Sequence, residues 1–219
     1  MITSAFALVC FTNTSELSAK DAFVQTLNNY AKLESFSADL EQDNSSGLFS
    51  GKYHQHLEFK KGKGFKLVVT GLKEARPDNV APDYYCDGDD VSIKGRNDRV
   101  DPINKDKNIA PGYEVSGGVV MSWLLDSPMK VMFTKPPEGF DLQFSWGKRT
   151  EWKGIKVKEV VMTRKIGGRS TSACYFIAPD HKHLVGFEWT RDGKTGILEY
   201  KNQKDNPKID AKDLKPPVN

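Results

Sequence analysis

The stretch Phe49-Ser-Gly-Lys-Tyr-His-Gln-His-Leu-Glu-Phe59 decides the fold class. Successive side chains of an extended chain point to opposite faces, so Phe49, Gly51, Tyr53, Gln55, Leu57 and Phe59 share one side and Ser50, Lys52, His54, His56 and Glu58 the other. Gly62-Lys63-Gly64 then supplies a turn, and Phe65 to Thr70 returns as a second strand. The pair reads as a hairpin with one apolar and one polar face.

Downstream, the same grammar repeats. Tyr84-Tyr85-Cys86 meets Asp87-Gly88-Asp89 and then Val91-Ser92-Ile93, and Asp-Gly between β-prone residues is a strong hairpin signal. Residues 71–83 and 97–111 read as loops. Gly117-Gly118 precedes the apolar run Val119-Val-Met-Ser-Trp-Leu-Leu125, which is too greasy for a surface helix and predicts a short buried one, ended by Pro128. Strands are expected over Met129–Thr134, over Phe140–Trp146, where Phe140, Leu142, Phe144 and Trp146 alternate with Asp141, Gln143 and Ser145, and over Ile155–Arg164, Thr171–Ala178, His183–Thr190 and Thr195–Lys201. Asp192-Gly193-Lys194 is a further hairpin turn, and the proline-containing tail from Asn206 reads as extended and non-helical.

Upstream lies one amphipathic helix, expected over residues 20–34. Ser18 with Asp21 resembles a capping box, and Phe23, Leu27, Tyr30 and Glu34 follow at helical spacing with Ala31 beside them. Consecutive strands on short turns point to an antiparallel meander. Faces carrying Phe and Trp need cover, and the two helices are the covers available.

The chain has 219 residues and a net charge of +3, from 32 basic and 29 acidic residues. This suits a single domain. With no concentrated basic face, the near-balance argues against nucleic acid as a partner. No apolar run approaches the ~18 residues that span a bilayer. Ala5-Phe-Ala-Leu-Val-Cys-Phe11 resembles the hydrophobic part of a secretory signal, although no basic residue precedes it. Residues 1–19 are read as a signal-peptide remnant, 20–219 as one domain, and the location as periplasmic or otherwise exported; a buried N-terminal strand is the alternative. Removing that segment takes Cys10 with it. Cys86 and Cys174 remain, to be read either as a disulfide formed in an oxidising compartment or as two separate thiols.

The order of elements resembles the periplasmic lipoprotein-carrier and lipoprotein-sorting family, the LolA/LolB-like superfamily. Asp21–Phe36 looks like its first helix and Ser37–Gln42 its first strand. Tyr84–Asp90 resembles its Asp-Gly hairpin, Gly154–Met162 a later central strand, and Phe187–Tyr200 its last strand pair. Where the family has an arginine and a proline that help to close the cavity, this chain has Lys60-Lys61-Gly62. The resemblance implies a mainly β, α+β architecture: a strongly curved antiparallel sheet forming an open half-barrel, with a few helices as lid. It implies lipid or lipoprotein acyl chains as ligand, a carrier or sorting role with a membrane-associated acceptor protein as partner, and a monomer. An envelope sensor or protein-interaction module on the same fold is the alternative.

An acyl chain gains about 0.8 kcal/mol per buried CH₂ and asks for no polar catalyst. The expected lining is Phe140, Leu142, Phe144 and Trp146 on one strand and Val185, Phe187 and Trp189 on another. Met121, Trp123, Leu124 and Leu125 would form the inner face of the lid. For each residue singly, ordinary core is the competing reading. The chain has no Gly-x-Ser-x-Gly elbow, phosphate-binding glycine loop or His-Glu-x-x-His, so the expectation is a non-enzyme with no catalytic residues and no cofactor. His54/His56 and His181/His183 form His-x-His pairs, but they lack further ligands, and no metal site is expected.

Overall fold

The computed structural model describes residues 16–45, 51–72, 82–87, 90–95, 99–102, 118–127, 130–166, 169–191 and 193–217. Residues 1–15 of the segment expected over 1–19 to be a signal-peptide remnant lie outside them, as do turn residues 88, 89 and 192 and most of the loop expected over 97–111.

Helix α1 (Ala19–Ala31) starts where its capping box places it. Ser18 is the N-cap; its Oγ accepts the Asp21 backbone N–H at 3.1 Å and donates to the Asp21 carboxylate at 2.6 Å. The helix ends three residues short of Glu34, capped at Lys32. Ala22, Phe23, Thr26, Leu27 and Tyr30 form its buried stripe.

The strands are β1 (Ser35–Asn44), β2 (Gly51–Lys60), β3 (Gly64–Leu72), β4 (Asp83–Cys86), β5 (Asp90–Lys94), β6 (Arg99–Pro102), β7 (Asp141–Trp146), β8 (Glu151–Trp152), β9 (Ile155–Lys156), β10 (Lys158–Ile166), β11 (Arg169–Ile177), β12 (Leu184–Arg191) and β13 (Lys194–Asp205). Eleven of them form one sheet in the order β6-β5-β4-β3-β2-β1-β13-β12-β11-β10-β7. Each described pairing is antiparallel.

The chain walks outward from β1 to β6, crosses to the far edge at β7, and walks back through β10–β13 until β13 pairs with β1. Edges β6 and β7 do not join, so the sheet is an open half-barrel. Register shifts in β1–β13, β2–β3 and β11–β12 mark bulges that add local bend and twist. One continuous buried cluster runs from Ile93 on β5 to Val160 on β10, by way of α1 and helix α2 (Val119–Leu124). Flat, so many strands at about 4.8 Å each would lie far beyond one another's reach, so the sheet must curl around the helices.

Several expectations are corrected. In place of the strand expected over Met129–Thr134, Val131–Thr134 forms a helical turn, α3, between α2 and edge strand β7, while Met129 lies outside the described residues. Its apolar run serves to place Phe133 against Trp123 and Phe23, at ring separations of 5.7 and 6.0 Å. The loop expected over 97–111 contains β6, which pairs with β5. The strand expected over Ile155–Arg164 breaks at Val157. Its first part pairs with β8 to make a separate hairpin flap, and β10 begins at Lys158.

That flap lies on the outer face and covers a second apolar cluster of Trp152, Val157, Phe176 and Val185. Trp152 stacks on Phe176 at 4.5 Å. Arg149 bonds Glu159 at 2.7 Å and Glu188 at 2.8 Å, with its guanidinium 4.4 Å above the Phe176 ring. Trp152 Nε1 donates to Glu188 at 2.6 Å, and Lys153 reaches Glu199 at 2.8 Å. The tail expected to be extended and non-helical from Asn206 instead contains a 3-10 turn at Ala211–Leu214, with Leu214 buried over β2 and β3.

Candidate ligand-binding face

The inner face of the half-barrel is built from alternate positions of nearly every strand: Leu40 on β1, Leu57 on β2, Leu67 on β3, Val160 on β10, Tyr175 on β11, Tyr200 on β13. α1 lies across the β7–β10–β11 side. Its Phe23 touches Tyr175 at 4.6 Å and Phe144 at 5.6 Å. At the other end of α1, the Tyr30 hydroxyl accepts the Leu184 backbone N–H and donates to Gln203. Burial pushes the Tyr30, Tyr175 and Tyr200 phenols upward, so all three are neutral at physiological pH.

The lid is α2. Every residue from Val119 to Leu124 is buried, whereas Leu125 at its C-cap is half-buried. Gly118 provides no side-chain cap, and the Val120 backbone lies beside the buried Tyr200 hydroxyl. At the other end, Trp123 Nε1 donates to Asn28 Oδ1 on α1 at 3.0 Å. Gly118 sits at φ 69°, and a Cβ there would lie 2.4 Å from the Tyr200 hydroxyl and 2.9 Å from the Phe187 ring. Only glycine therefore lets the lid lie this close to the sheet. Asn28 also borders an open groove of about 500 Å³ along the outward face of α1, with Leu17, Val24 and Gln25, so one latch of the lid is reachable from solvent.

Of the lining residues expected from sequence, Phe144, Phe187 and Trp189 join this cluster together with lid residues Met121, Trp123, Leu124 and Leu125. Leu142 and Trp146 share the inner face of edge strand β7, since Phe144 between them pairs with Met162 and Trp146 pairs with Val160. Trp146 is 37% exposed, with Lys158 near its ring, and half-buried Phe140 lies near Arg164. Val185 is a correction. The register shift after Phe176 pairs Phe176 with Gly186 and Ile177 with Leu184, so Val185 is the extra residue of a bulge and joins Trp152 on the outer face. The glycine inside that strand was the sequence signal for the bulge.

Of the two readings open for Cys86 and Cys174, the structure shows separate thiols and no disulfide between them. Cys86 faces inward on β4 and Cys174 packs with the outer cluster on β11, with five strands between them. Burial and neighbouring Glu159 raise the Cys174 thiol. His54 and His56 point outward, beside Glu41 and Asp39 at 3.5 and 2.7 Å. Among the described residues no group of three His, Cys, Asp or Glu is placed to hold a metal.

One feature escaped sequence reasoning. Gln42, Gln55 and Tyr53 form a hydrogen-bonded chain within the apolar inner face of β1 and β2. Its signal was a glutamine in phase with Tyr53, Leu57 and Phe59.

No family model matches the chain, and no curated protein matches it significantly. Solved structures do. Lipoprotein LppX of Mycobacterium tuberculosis is similar over 88% of this chain and 98% of its own, at 16% identity and a TM-score of 0.50. MucB is similar over 91% of this chain and 63% of its own, at 8% identity and a TM-score of 0.50. A LolA superfamily protein of Nitrosomonas europaea aligns over 92% of this chain and 99% of its own, at 8% identity and a TM-score of 0.41. At such identities the likeness is one of fold: the chain shares the fold of LppX and MucB.

Proposed function

We propose that this protein is an exported, non-enzymatic carrier that holds the acyl chains of a lipid or lipoprotein between α2 and the inner face of the half-barrel. The observation that carries this reading is the lid itself. Six buried residues lie over an aromatic floor, with Trp123 hydrogen-bonded to Asn28 on α1. A neutral hydrogen bond is a light fastening, at about 1 kcal/mol net. An acyl chain replaces the lid's apolar contacts with its own at about 0.8 kcal/mol per CH₂. In this reading the protein is a monomer that takes up cargo when the lid lifts. It then gives the cargo up to a membrane-associated acceptor, and nucleic acid has no part.

The test is mass spectrometry of an organic extract of protein prepared from its native host without detergent, followed by uptake of a fluorescent fatty-acyl probe. A stoichiometric acylated molecule, and transfer of the probe to acceptor vesicles or an acceptor protein, is the expected result. A clean extract with no probe uptake sinks the reading and leaves the inner face as ordinary core. Cargo that is bound but never transferred would make the protein a sensor rather than a carrier.

A further inference from the structure

We infer that the inner face carries a hydrogen-bond donor subsite at Gln55 for a carbonyl oxygen, so that the cargo is an O- or N-acylated molecule held at its ester or amide and not by its hydrocarbon alone. The inference rests on the acyl-chain reading above and narrows its ligand class. Gln55 is wholly buried on β2, and its Nε2 has no hydrogen-bond partner. Its Oε1 is occupied, accepting from Gln42 Nε2 at 2.7 Å. The Oε1 of Gln42 accepts in turn from the Tyr53 hydroxyl at 2.8 Å and from Asn44 Nδ2 at 3.3 Å. Donation therefore runs one way along the chain, from Tyr53 and Asn44 through Gln42 to Gln55. It stops at an amide nitrogen with hydrogens to give and nothing to receive them. Buried donors are almost always paired, and an orphan calls for an explanation.

The neighbourhood says what the missing acceptor is. Leu40 pairs with Gln55 across the strands, and Leu57 follows it on the same face; both are wholly buried. The acidic and basic side chains of the two strands, Asp39, Glu41 and Asp43 on β1 and Lys52, His54, His56, Glu58 and Lys60 on β2, alternate with these positions and lie on the opposite face. A phosphate or carboxylate brought here would lose its water and gain no cation from β1 or β2, which is unfavourable. A neutral carbonyl satisfies the amide and leaves methylenes for the flanking leucines. An ester or amide linkage within an acyl chain offers both in one molecule.

The experiment is competition against a bound fluorescent acyl probe, with methyl laurate set beside the n-alkane of equal heavy-atom count. In the unchanged protein methyl laurate is expected to compete about tenfold more strongly, the equivalent of one well-placed hydrogen bond. Gln55→Met should remove that preference and leave alkane competition within about twofold, since the replacement keeps the apolar bulk. Should the variant fail to fold, methyl laurate carrying a ¹³C carbonyl gives the answer on the unchanged protein, because its carbonyl stretch must move to lower wavenumber when bound. Equal competition by the two compounds, a preference that survives Gln55→Met, or an unshifted carbonyl overturns the subsite. A probe that never binds overturns the acyl-chain reading itself, so the two failures are told apart.

Discussion

The half-barrel has two aromatic clusters, one on each face, and each is covered by a small flap. The inner one is covered by α2, which among the described residues is tied to α1 by a neutral hydrogen bond from Trp123 to Asn28. The outer one is covered by the β8–β9 hairpin, held by charged groups on partly buried partners: Arg149 on Glu159 and Glu188, Lys153 on Glu199, and Trp152 on Glu188. Charge-assisted bonds are roughly twice as strong as neutral ones, and Glu159 and Glu199 are nearly buried. The same sheet therefore carries one flap that is locked and one that is only latched. A flap meant to move should be fastened by the weaker kind of contact.

Replacing residues on the two flaps tests that contrast. Trp152→Ala removes the stack on Phe176 and the bond to Glu188, so thermal or denaturant unfolding should show a loss of about 3–5 kcal/mol. A loss below 1 kcal/mol would mean that the outer flap is not a lock. Gly118→Ala forces a Cβ into Tyr200 and Phe187 at a left-handed backbone position. A loss of about 1–3 kcal/mol is expected, together with increased binding of a fluorescent apolar dye as α2 is pushed away from the sheet. Unchanged dye binding would mean that the lid tolerates the intrusion.

Asn28→Ala, at an exposed position, removes the acceptor of the Trp123 latch, worth about 1 kcal/mol. Hydrogen exchange should quicken roughly fivefold at the α2 amides and stay unchanged at β8–β9. Acid should do the reverse. Burial alone would raise the Glu159 carboxyl, but the hydrogen bonds and charge of Arg149 outweigh it and hold it below the usual carboxylate value. A lowered folded-state pKa gives stability that is complete above the ordinary carboxylate range and is lost as pH falls through the folded value. Exchange at β8–β9 should therefore rise below about pH 4.5, with α2 unaffected by this group. Equal acid response at the two flaps would erase the distinction between them.

The sequence carried local grammar well and displaced grammar poorly. Ser18 with Asp21, the alternation through Tyr53, Leu57 and Phe59, and the hairpin joining β4 to β5 were legible because each depends on neighbours in the chain. The apolar run of α2 was legible for the same reason. Val131–Thr134 was not, because its β-prone residues are held helical by Trp123 and Phe23, which lie elsewhere in the sequence. The departure of Ile155 and Lys156 from the main ladder depends on Trp152 finding Phe176, a contact that no spacing reveals. Val185 shows the limit most clearly. Period-2 counting puts it with Phe187 and Trp189, and a single inserted residue reverses its face. The apolar character of α2 and of the inner face was thus legible, whereas the fastenings of both flaps, and the orphan amide of Gln55, belong to tertiary structure alone.

The pairing of β1 with β13 has a consequence for how the molecule is made. Leu40 meets Tyr200 at the middle of the sheet, about 160 residues away along the chain. A ribosome adding about 5–20 residues per second takes roughly ten to thirty seconds to supply that partner. Throughout that interval β1 can pair only on its β2 side, and its other edge is open to any strand that passes. The seam that finally unites the two halves is therefore the last to become possible during synthesis. This chain depends on whatever shields a half-finished sheet until its far end arrives.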